Sequence, residues 1–416
     1  MKKILAAVAI VMAILAVGSG AWAFSYTDHV GVAANGKGDL LVYPMYVAAQ
    51  GWGTNLTLTN TSNQCVVAKL VVRSQYFSQE LLDFLIYLSP YDMWVGTIRY
   101  GANGPEIYST DSSALYTDPA TSTAPFATVA HPLQQSLTSV ACPATDTNQI
   151  GYITIIEAWS GNVAGLASDK QARGLAIKAA YDAAGAGVTS INALAGSYEV
   201  TYAAMNWAAE DSALVMKNYK TNVKLTVGEE TFLGANSQNT LTEVESALSK
   251  NNIAMPFLNT TSSSSLHVFT FPTKQSRRAS CVYSGSNSLY FPTNGQVQFT
   301  TKTFDNDEQT VTGSPFSPQG TPMYFPAEVN FLSIATTFTQ GWLLYNLVPG
   351  PTAGVTYSGL PLAYTGGPVI ATSVDIDGGG LTIKSSAWDD GVVSQGLNGA
   401  VMGNYQYSTA YVNTLQ

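Results

Sequence analysis

From Gly38 to Ile98 apolar and polar positions alternate in short runs, with turn residues between them. The runs are Leu40–Val47, Asn55–Asn60, Val66–Arg73, Leu82–Leu88 and Met93–Arg99. A period of two places Val66, Ala68, Leu70 and Val72 on one face of the third run, and Lys69 and Arg73 on the other. Leu82, Phe84, Ile86 and Leu88 likewise share a face, with Asp83 and Tyr87 opposite. Leu56 and Leu58 alternate with Asn55, Thr57 and Thr59. One buried face and one wet face is the pattern of antiparallel strands in a sandwich. Arg73 and Asp83 are expected to pair across neighbouring strands at an exposed site. Cys65, after Thr61-Ser62-Asn63-Gln64, is placed at the tip of a hairpin. Pro90, in Ser89-Pro90-Tyr91-Asp92, breaks the pattern and makes a corner.

A polar stretch from Gly101 to about Pro143 interrupts the pattern, and Tyr152–Ala158 resumes it as a strand. Ala164–Ala184 carries Ala-rich helical spacing closed by Gly185 and Gly187, and reads as a helix inserted between strands. Strands are expected at Tyr198–Ala204 and Asn222–Val227. A short helix is expected at Thr242–Lys250, with Thr242 as cap and Glu245 completing a capping box. Leu266–Phe271, Gly295–Thr303, Glu328–Ile334, Gly341–Leu347, Val369–Val374 and Leu381–Ser385 read as further strands. The expected fold is mainly β: antiparallel, Ig-like β-sandwiches with one or two short helical insertions. The length exceeds one ordinary sandwich. The chain is therefore divided into residues 24–235, an N-terminal sandwich with its helical insertion near 164–184, and residues 236–416, a C-terminal β-rich domain.

Residues 1–23 read as an export signal. Lys2 and Lys3 precede an apolar core, Ile4–Val17, and Ala21-Trp22-Ala23 supplies the small residues of a cleavage site. No later stretch reaches the roughly 18 apolar residues of a membrane helix. The net charge of −9 argues against nucleic acid or anionic lipid as partners. Charged residues make up 11% of the chain, less than half of the roughly 25% usual in globular domains. A surface so poor in charge repels copies of itself weakly, which suits self-association or contact with cell-surface components. Of the three cysteines, Cys142 and Cys281 are expected to pair and Cys65 to be left over, in an oxidising compartment.

Candidate chemistry is sparse. His29, His131 and His267 show no metal-ligand spacing. No Gly-x-Ser-x-Gly elbow marks a nucleophile, and a Ser-His-Asp arrangement is left open. Asp375 and Asp377 precede a Gly-rich turn, and Asp389 and Asp390 follow shortly after. These four are the candidate calcium ligands, set against an ordinary hairpin that uses Asp and Gly for its geometry. Asp305-Asn306-Asp307-Glu308 is a second acidic turn of the same kind. Trp52, Trp94 and Trp342 adjoin strand patterns and are assigned to cores. No catalytic residue and no cofactor other than calcium is indicated.

Several segments resemble a group of exported proteobacterial cell-surface proteins, β-rich and of uncharacterised function. They are Thr59-Asn60-Thr61-Ser62, Val67–Arg73, Leu82–Pro90 and Asp92-Met93-Trp94 in the first run of strands. Gly151-Tyr152-Ile153, Ile156-Glu157, Glu243-Val244-Glu245, Val268–Lys274 and Glu328-Val329-Asn330 follow in the same order. The resemblance implies export and a surface location, and brings no catalytic residues. Ala164–Ala184 departs from it as a tolerated insertion.

The expected function is that of an exported, non-enzymatic cell-surface protein, structural or adhesive, that self-assembles into a layer or fibre. An outer-membrane β-barrel is the first alternative; uneven strands interrupted by helices count against it. A secreted carbohydrate-binding or carbohydrate-active protein is the second.

Overall fold

The computed structural model describes residues 30–115, 130–133, 148–185, 190–228, 233–234, 237, 241–250, 252–274, 276, 297–307, 310–311, 323–334, 336–347, 355–357, 360–362, 367–377, 380–385 and 405–406. Residues 1–23, His29, Cys142, Cys281, Asp389 and Asp390 lie outside the described residues.

The protein is mainly β, built from open antiparallel sheets. Sheet I runs Trp207–Ser212, Leu194–Tyr202, Trp52–Asn60, Met93–Gly101, Gly104–Tyr108 and His131–Pro132 in spatial order. Sheet II runs Gly31–Val32, Leu214–Lys217, Leu40–Val47, Ile150–Gly161, Cys65–Ser74, Glu80–Leu88 and Ala114–Leu115. Sheet III has four strands, Val329–Ser333, Ser264–Thr270, Ile370–Asp377 and Gly380–Ser385. Sheet IV centres on Val297–Asp305, Gln340–Leu347 and Asn252–Leu258, with Thr310–Val311 and Met323–Phe325 paired to the first of these. Tyr405–Gln406 pairs parallel with the start of Asn252–Leu258.

Alternation along the Leu40–Val47 strand shows how the sheets stack. Tyr43 turns toward sheet I, where its hydroxyl donates to the Thr57 carbonyl at 2.6 Å and its ring meets Tyr198 edge-on. Pro44 faces the other way, and its carbonyl accepts from Thr270 Oγ1 of sheet III at 2.5 Å. Sheet III in turn gives Phe269 to sheet IV, where it packs on Phe325 and Tyr345. Sheets II and III are therefore interior layers. Val268, Val329, Ile370 and Val374 of sheet III join the same hydrophobic cluster as Leu41, Ile153 and Leu70 of sheet II.

This stacking corrects the alternation read from sequence. Cys65–Ser74 is buried at all ten positions, Lys69 and Arg73 included. In Glu80–Leu88 only Leu82 is partly exposed, so Asp83 and Tyr87 are buried as well. The second face is covered by the Lys170–Ala183 helix and by the segment that follows Lys217. Tyr181 of the helix donates to the Leu225 carbonyl at 2.6 Å. Residues 222–227, expected as a strand, form this covering segment instead.

Two further expectations change. The Asn60–Cys65 connection crosses from sheet I to sheet II, so Cys65 begins a strand at an inter-sheet corner rather than sitting in a hairpin. Asn60 builds that corner: its Nδ2 donates to the Gln64 and Ser89 carbonyls, and its Oδ1 accepts from Ser62. The Pro90 corner docks beside it, with Tyr91 at φ 58 and Asp92 Oδ2 accepting from Ser89. The second helix begins at Leu241, which puts Thr242 inside its first turn rather than at the cap. The first helix matches its forecast more closely. It starts after Asp169, whose Oδ1 accepts from Ala172 N, and it buries Gly174, Ile177 and Tyr181.

Candidate functional site

Strand register assembles a serine–histidine–aspartate group that the sequence left open. In sheet III, Ser265 pairs with Asp375 and His267 with Ser373, and alternation puts all four on the face toward sheet IV. The histidine is fully buried and both ring nitrogens are engaged. Nε2 lies 2.8 Å from the Pro256 carbonyl, which can only accept, so Nε2 carries the hydrogen. Nδ1 then accepts from the Tyr345 hydroxyl at 2.7 Å. Burial holds the imidazole neutral, its pKa pushed down to about 4. With no lone pair left for a serine, His267 is no general base.

These side chains close an edge. Among the described residues, Asn252–Leu258 has a full neighbour on one side only; on the other, Tyr405–Gln406 pairs with Asn252 and Ile253. Further along, the Pro256 carbonyl is met by His267, and Leu258 N–H donates to Ser265 Oγ at 2.8 Å. The Ser265 hydroxyl donates in turn to Asp375 Oδ1, which also accepts from Ser373 at 3.3 Å. Asp375 thus orients the serine oxygen to receive a main-chain hydrogen. Side chains here do what a missing ladder strand would otherwise do.

Asp375, a candidate calcium ligand, is therefore engaged by two hydroxyls. Asp377 ends its strand opposite Gly380, as a hairpin requires. At the other acidic turn, Asp307 N–H donates to Asp305 Oδ1, an ordinary Asx turn. Among the described residues, no three or more His, Cys, Asp or Glu side chains converge in a group that could hold a metal. His131 lies in a short edge strand of sheet I, half-buried, with burial lowering its pKa. Trp94 is a core residue as expected, whereas Trp52 and Trp342 are half-buried and stack on Tyr202 and Phe304.

Sequence reasoning passed over the two most perturbed acids. Asp39 and Glu157 are each 1% exposed. Asp39 accepts from Tyr219 N and Lys220 N, both at 2.8 Å, and from the Ser190 hydroxyl at 2.6 Å. Glu157 accepts from Ile191 N at 2.8 Å and Ala193 N at 3.0 Å. Burial raises both pKa values, and Glu157, with Asp39 nearby, is pushed up to about 8. The segments they hold include three non-glycine residues in the left-handed region, Asn192, Asn218 and Lys220. Asn192 and Asn218 bond to each other there. The available signal was a lone carboxylate inside the apolar run Tyr152–Ala158. Every carboxyl oxygen faces a main-chain or hydroxyl donor, so the pair fastens backbone and is not placed to exchange protons with a substrate.

Charged groups also fill the second face of sheet II. Lys69 Nζ lies 2.6 Å from Asp83 Oδ2. Arg73 donates to the Ser78 carbonyl at 3.0 Å and lies 3.9 Å from Glu80. The Arg73–Asp83 pair expected from sequence is thus replaced by Lys69–Asp83 and Arg73–Glu80, both buried.

Among the described residues, the outer faces of sheets I and IV are open to solvent, and that of sheet I carries a bonded polar array. Glu199, Asn55 and Thr97 form a lateral chain across three strands, with Asn55 donating to Glu199 at 2.7 Å and accepting from Thr97 at 2.9 Å. Thr57 and Ser197 form the next rung at 2.9 Å. Arg99 lies over the Tyr108 ring and bonds Glu106, while Met93 and Val95 are exposed beside them. The result is a flat polar grid whose side chains are already fixed. Comparison with family models, with curated proteins and with solved structures finds no match.

Proposed function

We propose that this chain is an exported, non-enzymatic cell-surface protein with a structural or adhesive role, associating with copies of itself or with surface components. One observation carries the reading. Among the described residues, Asp39, Glu157, His267 and Asp375 are held in buried or part-buried networks, while the outer face of sheet I presents a pre-ordered polar surface. Fixing those side chains in advance lowers the entropy cost of contact. The low charge, the leader-like first 23 residues and the resemblance to exported surface proteins point the same way. The open edges of each sheet favour a sandwich over a barrel.

The test is fractionation of the native cells with electron microscopy of the fraction that holds the protein. A surface layer or fibre is expected, and its loss when Asn55 and Thr97 are both changed to Lys. A strictly monomeric protein with no retention on cells would overturn the proposal. Carbohydrate binding is the second reading, favoured by the hydroxyl- and amide-rich grid beside Tyr108 and Arg99. A glycan array separates the two.

A further inference from the structure

Lys69 and Asp83 stand on adjacent strands of sheet II, on the face turned away from sheet I. Their side chains are 0% and 5% exposed, and Nζ touches Oδ2 at 2.6 Å. One main-chain hydrogen serves both carboxyl oxygens: Gly228 N lies 2.9 Å from Oδ1 and 3.0 Å from Oδ2. Gly228 holds that position at φ 80, where a side chain would be strained. An amine, a carboxyl group and a donor aimed at the carboxyl oxygens therefore meet, with the two side chains buried and Gly228 at the surface.

We propose that Lys69 and Asp83 condense to an intramolecular amide joining the Cys65–Ser74 and Glu80–Leu88 strands. The ammonium first passes a proton to the carboxylate, giving a neutral amine and acid. The Nζ lone pair then attacks Cγ, and the Gly228 N–H stabilises the oxygen that gains charge. The intermediate collapses by breaking one C–O bond, and the hydroxyl departs with a second proton from nitrogen. One N–C bond forms and one water leaves, with no oxidant, reductant or co-reactant. Fixed strand register holds the groups in contact, which raises their effective concentration.

The experiment is intact-mass measurement of the full chain, purified in denaturant from the cells that make it, with its N-terminus read by sequencing. The expected mass is one water below that calculated from sequence, with a branched proteolytic peptide joining Lys69 to Asp83. Lys69→Ala and Asp83→Ala should each restore the full calculated mass. Because the mass is read in denaturant, these variants inform whether or not they fold. A wild-type chain at full mass, with Lys69 and Asp83 in separate linear peptides, overturns the proposal. So does a one-water deficit that persists in Lys69→Ala.

Discussion

The two halves of the molecule differ in what dominates their interiors, although each buries charge. The first half buries Asp39 and Glu157 on the side of sheet II that meets sheet I, and Lys69, Asp83, Arg73 and Glu80 on its other, covered face. The pairing of sheets III and IV is filled by rings: Phe299 stacks on Phe325 at 4.0 Å, and Phe269 packs on Tyr345 at 4.7 Å. Its buried histidine stays neutral. The difference follows from what each interior must hold. Sheets I and II enclose irregular connections, residues 190–193 and 218–220, whose main-chain hydrogens need acceptors. Among the described residues of sheets III and IV, neutral hydroxyl and imidazole groups satisfy the edge of Asn252–Leu258, and the buried ammonium of Lys274 donates to the Phe325, Pro326 and Ala327 carbonyls.

If that contrast is right, removing a polar acceptor should be as harmful in the first half as removing a ring is in the second. Asp39→Ala strands two main-chain donors and one hydroxyl, each worth about 1–3 kcal/mol when left buried and unpaired, for a loss on the order of 4 kcal/mol. Phe299→Ala should cost about 3–5 kcal/mol through transfer and cavity terms. Chemical denaturation of each variant measures both. An Asp39→Ala loss under about 1 kcal/mol would mean the loops find other acceptors, and the contrast would fail.

The next effect is pH dependence, and the halves should respond in opposite senses. Glu157 has its folded pKa raised from 4.5 to about 8, so the folded state holds a proton that the unfolded state releases. Stability is therefore lost as pH rises from 4.5 through 8, by several kcal/mol in the limit. His267 has its folded pKa lowered from 6.5 to about 4, so the unfolded state takes up the proton first. Stability is lost as pH falls from 6.5 through 4, by about 3 kcal/mol in the limit. The two windows overlap, so the opposing slopes offset one another from about 4.5 to 6.5, and the melting temperature should form a plateau there and fall on either side. Glu157→Gln should flatten the alkaline limb and leave the acid limb in place. An alkaline limb unchanged in Glu157→Gln would assign that titration to other groups.

Much of this was legible in the chain and some was not, for identifiable reasons. Strand positions followed from a period of two, and the Pro90 corner from the ring's fixed geometry. What alternation could not show is that sheet II is covered twice. Lys69 and Arg73 looked like solvent-facing residues because a polar residue on alternate positions usually is one. Only a helix and a covering segment, packed on that face from about a hundred residues away, make them buried. The same distance hid the acceptor role of Asp39, whose partners are Ser190, Tyr219 and Lys220. His267 was placed correctly in a strand, yet its environment depends on Tyr345 and Pro256.

The smallest predicted effect probes that environment most directly. Tyr345→Phe keeps the ring that packs on Phe269 and removes the hydroxyl that donates to His267 Nδ1. The imidazole cannot flip its proton to compensate, because Nε2–H is held by the Pro256 carbonyl. A buried nitrogen loses its partner, at a cost of about 1–2 kcal/mol at neutral pH. The hydroxyl donates only to the neutral ring, so its loss should also bring the folded pKa back toward 6.5 and shorten the acid limb. NMR titration of His267 in the variant reads this directly. A cost at neutral pH without a pKa change would mean that the hydroxyl serves packing alone, and that solvent exclusion by the surrounding rings is what keeps His267 neutral.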